Sequence, residues 1–451
     1  MVDFRFERVA GMKEYSYKNE ECNNNEECNK NDVTLFEKGK KGVIRMIFSR
    51  FGVVLLLLVI QVLFLFGLFI KFRQLAPHYL WLATLFYVIM IVVLVNSDHD
   101  ATSKITWLIV MVIFPIFGGL LYLYSSIDIG HRALKKRVTD IIGNSHEAIP
   151  QNKEVLGKTE EICPELTDLA YYLNRTGCFP IYENTQVTYF PIGEKMFEAM
   201  LTELEKAKEF IFMEYFILDE GYMWGKLLEV LSRKAKEGVD VRVMYDGTCE
   251  FALHPRIYPR KLEKLGIHCK VFAPITPFIS THYNYRDHRK IMVIDGKTAF
   301  NGGINLADEY INHIEKYGHW KDTGVMLKGE AVKSFKLMFL QMWYVDEKLC
   351  DFSHYLKIDN SNSDLPIQNK GFVIPYADCP LDGDNVGESV YMDILNRAHD
   401  YVYIMTPYLI LDGELEKTLT FAAQRSVDVR LILPHIADNF VANALAKTHY
   451  K

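Results

Sequence analysis

The sequence predicts N-terminal transmembrane α-helices followed by an α/β fold, in which a mostly parallel sheet is sandwiched by helices and the unit is duplicated. Long apolar runs lie between residues 52 and 124. From about residue 165, short apolar segments alternate with amphipathic ones, a pattern typical of parallel strands covered by helices on both faces. One strand–helix–strand pattern also recurs near the end of the chain, which indicates the duplication.

Composition and charge set the scale of the protein. With 451 residues, 49% of them hydrophobic, the chain is long enough for more than one domain. The formal net charge of -6 gives no support for nucleic-acid binding. The eight cysteines include no C-x-x-C pair. We therefore expect free thiols in a reducing compartment rather than a zinc site.

The N-terminal third is predicted to hold a tail and a membrane domain. Residues 1–42 are polar and predicted to be disordered. Residues 43–126 contain apolar runs of membrane-spanning length at 52–70, 77–95 and 105–124. Basic residues flank the three runs on both sides, and the positive-inside bias would place both flanks in the cytoplasm, which three crossings cannot do. Pro115 and a Gly-Gly pair interrupt the third run. Either this run is therefore re-entrant or interfacial, or one of the basic flanks does not follow the bias. We expect a multi-pass protein of the cell membrane with a cytoplasmic catalytic part.

The remaining residues are predicted to form a linker and two related domains, at 127–164, 165–350 and 351–451. The division into two related domains is inferred from an internal repeat. Ala207–Asp219 reads AKEFIFMEYFILD and Ala398–Asp412 reads AHDYVYIMTPYLILD. Each is followed by a predicted helix and then by V-D-V-R, at residues 239–242 and 427–430. This depth of agreement indicates two copies of one unit.

The first copy contains the chemically most informative stretch, Tyr283–Asp308, which reads YNYRDHRKIMVIDGKTAFNGGINLAD. His288, Lys290 and Asp295 are spaced as H-x-K-x4-D. The run IMVID is predicted to be a strand, and GKTAFNGGIN a turn, a second strand and a glycine elbow. A His and a Lys two apart on a strand share a face, and Asp295 at its end could reach back to an imidazole. Such a face suits a phosphate.

Each residue type has a chemical reason to be there. Neutral His288 is a candidate nucleophile near pH 7, and Lys290 would stabilise the charge that develops on phosphate oxygens. Asn305 could donate its amide to the same phosphate. Gly302 and Gly303 permit close approach of the backbone to an anion, although a tight turn would also explain them.

Other candidates surround this stretch. Glu214 lies at the carboxyl end of a predicted strand, where ligands of open sheets bind, and is a possible lining residue. Strand alternation places Arg289 opposite to His288, which favours structural pairing. Lys321 and Asp322 either border the site or form a surface salt bridge. We predict no cofactor and no metal, since the histidines of this region lack ligand spacing.

The string H-x-K-x4-D-x6-G-G-x-N resembles the phospholipase D superfamily. With HWKDT at 319–323, TPY at 406–408, VDVRLILP at 427–434 and the third apolar run, the chain resembles bacterial cardiolipin synthases over roughly residues 50–451. The resemblance implies a phospholipase D-like fold with its motif region at 282–309. It also implies a phosphohistidine intermediate, with phosphatidylglycerol and membrane lipid as partners. Two phosphatidylglycerol molecules would give cardiolipin and glycerol.

In that family two motifs meet to make one site, which leaves alternatives open here. The offset between V-D-V-R and His288 points beyond Lys451 in the second copy, so this copy is expected to stop before its own motif. The final His449-Tyr450-Lys451 is interpreted as an ordinary helix face. A phospholipase D-type hydrolase, or a catalytically dead product that only binds phospholipid, are the alternatives. The sequence leaves the oligomeric state open.

Overall fold

The fold is described from a computed structural model. The structure describes residues 50–97, 99, 101–126, 129–249, 257–274, 286–345, 347, 353–357, 371–379 and 384–450. The predicted disordered tail at 1–42 lies outside the described residues, and so do the first four residues of the motif region, 282–285.

The N-terminal part is helical. In chain order its helices are α1 (Arg50–Val95), α2 (Ala101–Ile113), α3 (Pro115–Ser126), α4 (Ile129–Ala148), α5 (Lys153–Ile162) and α6 (Pro164–Gly177). The predicted runs 52–70 and 77–95 fall within the single helix α1. The third run is divided in front of Pro115, because proline fits the first position of a helix but not its interior. Among the described residues, no helix combines the length and the hydropathy expected of a membrane span.

The first three helices pack on one another through a small core. Met90, Leu94, Met111 and Tyr122 are buried there. Gly118 lets α3 approach α2 closely, since a Cβ at this position would lie 2.8 Å from the Val110 carbonyl oxygen. Most large apolar side chains that the structure describes on the outer surfaces of α1 and α2 are exposed.

A mixed sheet forms the centre of the part of the chain that follows α6. Its strands are β1 (Thr185–Phe190), β2 (Phe210–Tyr215), β3 (Asp240–Asp246), β4 (His268–Phe272), β5 (Ile291–Ile294), β6 (Thr298–Gly302) and β7 (Gly324–Gly329). In the described residues their order is β1-β7-β6-β5-β2-β3-β4. Only the pairs β2–β3 and β3–β4 are parallel; the other pairs, β2–β5 among them, are antiparallel.

The prediction of a mostly parallel sheet is therefore wrong for this domain, and the reason is the turn after β5. Asp295 and Gly296 take φ values of 52° and 65°, and Lys297 N–H donates to the Ile294 carbonyl oxygen at 3.0 Å. An Asp-Gly pair with two positive φ angles makes a tight hairpin. A hairpin joins antiparallel strands, whereas parallel strands need a long crossover.

Helices cover both faces of this sheet. They are α7 (Gly193–Leu204), α8 (Tyr222–Lys236), α9 (Tyr258–Glu263), α10 (Val332–Trp343) and α11 (Ser353–Lys357). Strand β2 is buried along its whole length. Ile211 and Met213 join the core under α7 and α8, while Phe210 and Phe212 join the core under α10. A strand buried on both faces explains the continuous apolar run in the sequence.

The last part of the chain repeats the strand–helix–strand order on a smaller scale. Its elements are α12 (Val386–Arg397), β8 (Tyr401–Met405), α13 (Gly413–Gln424), β9 (Asp428–Ile432) and α14 (Phe440–Thr448). Strands β8 and β9 pair in parallel. Val402 and Leu419 are buried on one face, whereas Tyr401 and Tyr403 on the other face are exposed. His449 directly follows α14 as its C-cap, whereas the sequence suggests that it lies on a helix face.

Candidate active site

His288 and Lys290 lie directly before β5, not on a strand as the sequence predicts. Ile291, the first residue of β5, pairs with Glu214 near the end of β2. The His288 segment therefore passes just beyond the carboxyl end of β2, the edge at which open α/β sheets bind ligands.

The structure brings the side chains of His288 and Lys290 to one aromatic ring. The imidazole lies 4.8 Å from the Phe216 ring, centroid to centroid. The Lys290 Nζ atom lies 5.6 Å from the centroid of the same ring. It also donates to the His288 carbonyl oxygen at 2.6 Å. A potential nucleophile and a cation are thus held side by side despite the irregular backbone.

Their protonation states differ from those of free side chains. Partial removal of the imidazole from water, together with the neighbouring Lys290 ammonium, lowers the pKa of His288. Burial lowers the pKa of Lys290 to about 8, although Asp287 and Asp322 oppose the shift. Removal from water disfavours a charged amine or imidazolium. Near pH 7 the imidazole is therefore neutral and nucleophilic while the amine still carries its proton.

The main chain of Lys290 is fixed from the neighbouring strand. The Asn301 side-chain amide on β6 donates to the Lys290 carbonyl oxygen at 3.1 Å. Lys290 itself is buried, with 6% of its surface exposed, whereas His288 is exposed. The lysine is consequently the fixed member of the pair, and the histidine is the member that a ligand can reach.

Asp322 is half-buried beside Lys290, whereas Lys321 is exposed. The Asp322 carboxylate accepts from Trp320 Nε1 at 3.1 Å and from its neighbour's N–H, that of Thr323, at 2.8 Å. Burial raises its pKa, while the nearby Lys290 acts in the opposite direction. The Lys321 ammonium instead donates to the Pro191 carbonyl oxygen. Of the two residues that the sequence left open, only Asp322 faces the site.

Asp295 lies at the opposite end of β5 from His288. Its carboxylate accepts three backbone N–H groups, those of Lys208 and Glu209 at 2.8 Å and of Phe210 at 2.9 Å. The four residues of β5 alone span about 13 Å. The expectation that Asp295 reaches back to the imidazole of His288 is therefore corrected: in this structure the carboxylate holds the start of β2.

The G-G-x-N segment contacts protein groups. Asn305 is buried; its carbonyl accepts from Ile217 N–H at 3.0 Å, and its amide donates to the Tyr310 hydroxyl at 2.8 Å. A Cβ on Gly302 would lie 2.6 Å from the Thr323 carbonyl oxygen, and one on Gly303 would overlap the Asp322 carboxylate. The glycines are needed for close approach to the strand after them, which differs from the anion contact that the sequence suggested.

Glu214 is completely buried and does not line an open cleft. It shares the α10 face of β2 with Phe212, and its nearest cation is Arg289, with 3.9 Å between Nη1 and Oε1. Arg289 also reaches the Met338 carbonyl oxygen at 3.4 Å. Arg289 thus makes the structural contacts that the sequence suggests, although the residues around it do not form the strand on which that prediction rested. The suggestion that Glu214 lines the site is not matched by its position.

Sequence reasoning missed Phe216, Asn301 and Asp287. Phe216 sits in the repeat segment FIFMEYFILD, where an aromatic residue is read as core. Asn301 directly precedes the glycine pair, so its place on β6 beside Ile291 could be read from the hairpin register. Asp287 is adjacent to His288, and only its burial distinguishes it from a solvated charge.

Metal donors and large cavities do not mark this site. Within the described ranges, no group of three or more His, Cys, Asp or Glu side chains could hold a metal ion. One cavity of about 310 Å³ lies beside Tyr182 and Lys336, and another of about 330 Å³ lies beside Arg242 and Trp343. Neither is lined by His288 or Lys290. The juxtaposition of side chains at Phe216 therefore defines the candidate site.

The chain is similar to proteins of the phospholipase D superfamily. Residues 200–343 match the family model described as cardiolipin synthase, PLD-like domain, and residues 80–125 match the phospholipase D-nuclease N-terminal model. An uncharacterized protein of Streptococcus mutans is 55% identical over 79% of this chain and 77% of its own length. Cardiolipin synthase 2 of Bacillus cereus is 33% identical over 78% of this chain and 68% of its own.

A solved structure gives a weaker likeness. Phosphatidylserine synthase of Haemophilus influenzae is 16% identical, with a TM-score of 0.44, over 62% of this chain and 71% of its own. The fold and the sequence relatives together define a phospholipase D-like protein with a mixed sheet flanked by helices. More narrowly, the chain belongs to the cardiolipin synthase family, a family of phosphatidyltransferases within the phospholipase D superfamily.

Proposed function

We propose that this protein transfers a phosphatidyl group from one phosphatidylglycerol molecule to another, giving cardiolipin and glycerol. The observation that carries the proposal is the placement of His288 and Lys290 on the Phe216 ring. A neutral imidazole beside a buried ammonium suits attack on an anionic phosphodiester, because the ammonium offsets the charge that would repel a nucleophile. Family membership supports the choice of lipid.

The proposed reaction has two displacements at phosphorus. An imidazole nitrogen of His288 attacks phosphorus, the bond from phosphorus to the glycerol oxygen breaks, and glycerol leaves after taking up a proton. The free hydroxyl of the second phosphatidylglycerol then attacks, loses its proton and breaks the phosphorus–nitrogen bond. The family resemblance assigns the proton transfers to a histidine of a second H-x-K-x4-D unit; the 451 residues contain this motif once.

We assign the remaining predicted site residues to the support of this pair. Asn305 joins the segment after β2 to the glycine elbow through Ile217, and Gly302 and Gly303 admit the strand that carries Asp322. Asp295 fixes the start of β2. These contacts support a role in placing Phe216 and Lys290 rather than in binding phosphate directly.

We also propose that helices α1 to α3 attach the protein to the cell membrane as a multi-pass domain, with the catalytic part on the cytoplasmic side. The support is the number of large apolar side chains exposed on them, such as Leu63 and Trp81 on α1 and Ile105 and Val112 on α2. Soluble monomers rarely expose contiguous apolar surface of this extent. A lipid substrate would then meet the site at the membrane surface.

Purified protein in phosphatidylglycerol vesicles tests the reaction. We expect glycerol and cardiolipin to form in equal amounts, and both to be lost in His288→Ala. His268→Ala is the matched control, because this exposed histidine lies at the far end of β4. Phosphatidic acid in place of cardiolipin would identify a hydrolase. Turnover that survives in His288→Ala would contradict the proposal.

A further inference from the structure

Three buried carboxyl groups lie under α10 beside the candidate site. Glu214 and Asp246 are each 0% exposed and Asp287 is 3% exposed. Asp246 is well supplied with donors: it accepts from Thr248 N–H at 2.8 Å, from Asp287 N–H at 3.0 Å and from Arg286 Nη1 at 3.2 Å. A carboxylate with three donors is stable in its charged form.

Glu214 differs from Asp246 in having no donor. Within the described part of the chain, neither of its carboxyl oxygens has a hydrogen-bond partner, and Asp287 Oδ2 has none either. Arg289 lies 3.9 Å from Glu214 Oε1, which is too far for a hydrogen bond. A buried carboxylate without donors is strongly disfavoured.

The charges on this face leave one carboxyl uncompensated. Three carboxyl groups, of Glu214, Asp246 and Asp287, meet two guanidinium groups, of Arg286 and Arg289. The Lys290 ammonium interacts with the charge of Asp287 and also with that of the half-buried Asp322. Phe212, which shares this face of β2 with Glu214, is buried in the core under α10. One proton on the three carboxyl groups would balance the charge of the two guanidinium groups.

We propose that Glu214 holds this proton and donates it to Asp287 Oδ2, and that the resulting carboxyl–carboxylate pair anchors the segment that carries His288. Two ionised carboxylates cannot hydrogen-bond each other, but a single proton between them satisfies both groups. Asp287 is the charged member, because its Oδ1 atom already accepts the Arg289 N–H at 3.1 Å. Burial and the neighbouring carboxyl group of Asp287 raise the pKa of Glu214 well above its usual range.

The anchor acts on the opposite side of the backbone from the chemistry. Asp287 is held through its own N–H by Asp246, through Oδ1 by the Arg289 N–H, and in this proposal through Oδ2 by Glu214. His288 lies in the chain between Asp287 and Arg289, and its ring contacts Phe216. Glu214 and Asp287 are thus positioning residues. Their importance for His288 rests on the proposed function, whereas the shared proton does not.

Infrared spectroscopy of the full chain at pH 7 tests the proton. We expect a protonated-carboxyl C=O band in the wild type that is lost in Glu214→Gln and kept in Glu229→Gln. Glu229 is the control, because it is an exposed glutamate paired with Lys226. If Glu214→Gln does not fold, wild-type protein grown on carboxyl-¹³C glutamate replaces it, and the band should shift. A band that is absent, or that glutamate labelling leaves in place, overturns the proposal.

Hydrogen–deuterium exchange tests the anchor with two variants of one residue. Asp287→Asn keeps an Oδ1 acceptor for the Arg289 N–H, and Asp287→Ala removes it. We expect exchange of the peptide over residues 286–290 to rise at least tenfold in Asp287→Ala and to stay near the wild-type rate in Asp287→Asn. Equal rates in all three proteins would overturn the anchor. Neither readout needs turnover, so failure of the phosphatidyl transfer would be seen separately in the vesicle assay.

Discussion

The two ends of β5 carry residues of the same short motif in opposite environments. At its start, His288 is exposed, Lys290 has a lowered pKa, and both contact Phe216. At its end, the Asp295 carboxylate is buried and accepts three backbone N–H groups. One end can react, whereas the other is bonded into the sheet. The comparison teaches that residues close in a motif need not share a site, since an extended strand separates its two ends.

The largest effect should come from the reactive end. We expect His288→Ala to lower phosphatidyl transfer at least about 1000-fold, as the loss of a nucleophile does. Its free energy of unfolding should change by less than about 0.5 kcal/mol, because the side chain is exposed. Vesicle assays and urea unfolding measure the two. A large loss of stability would mean that the His288 end of β5 also supports the fold.

Substitution of Asp295, at the opposite end of β5, should lower the stability of the fold. Asp295→Ala leaves three backbone N–H groups without their acceptor, and we expect the free energy of unfolding to fall by about 3 kcal/mol or more. Asp295→Asn should recover part of it, because asparagine keeps one acceptor oxygen and tolerates positive φ. Urea unfolding of both variants measures this. An Asp295→Ala protein that is fully stable yet inactive would place Asp295 with the reacting residues.

The glycine elbow should give an intermediate effect. A methyl group on Gly303 overlaps the Asp322 carboxylate, so we expect Gly303→Ala to cost about 1–3 kcal/mol of unfolding free energy through overpacking. Gly225→Ala on α8 is the matched control, since a Cβ there meets nothing within 4 Å. It should be neutral or stabilise by up to about 1 kcal/mol. If the two changes altered the unfolding free energy equally, the glycine elbow would not be one of the features that support the site.

The pH dependence should be the mildest test. The pKa of Lys290 is lowered to about 8, so the amine is charged below that pH and neutral above it. Transfer should therefore fall about tenfold per pH unit above pH 8. Between pH 8 and the usual lysine pKa the unfolded chain binds more protons, so Lys290 makes the fold more stable as pH rises. Lys290→Arg, which stays charged, should abolish the alkaline loss of activity, and a persisting loss would assign it to another group.

Much of the central fold follows from local sequence patterns. The buried run of β2, the helix α8 and the Asp-Gly turn are all readable, because burial, amphipathicity and turn chemistry act over a few residues. The direction of the sheet was misjudged because alternating strands and helices suggest crossovers, while the short turn at Asp295 reverses the chain. The sequence alone suggests a phosphate contact for Gly303 and Asn305 and an imidazole contact for Asp295, because the actual partners of these residues lie far away in sequence. The motif itself does not indicate that Phe210, Asp322 and Ile217 are the contact partners of Asp295, Gly303 and Asn305.

The low basicity of Lys290 has a thermodynamic consequence for ligand binding. An amine with a pKa of about 8 is partly unprotonated in a mildly alkaline solution, and a phosphodiester beside it favours the ammonium form. Docking of the headgroup would then take up a fraction of a proton from the medium. Calorimetric binding heats at pH 8 should accordingly vary with the ionisation enthalpy of the buffer, and much less so at pH 6.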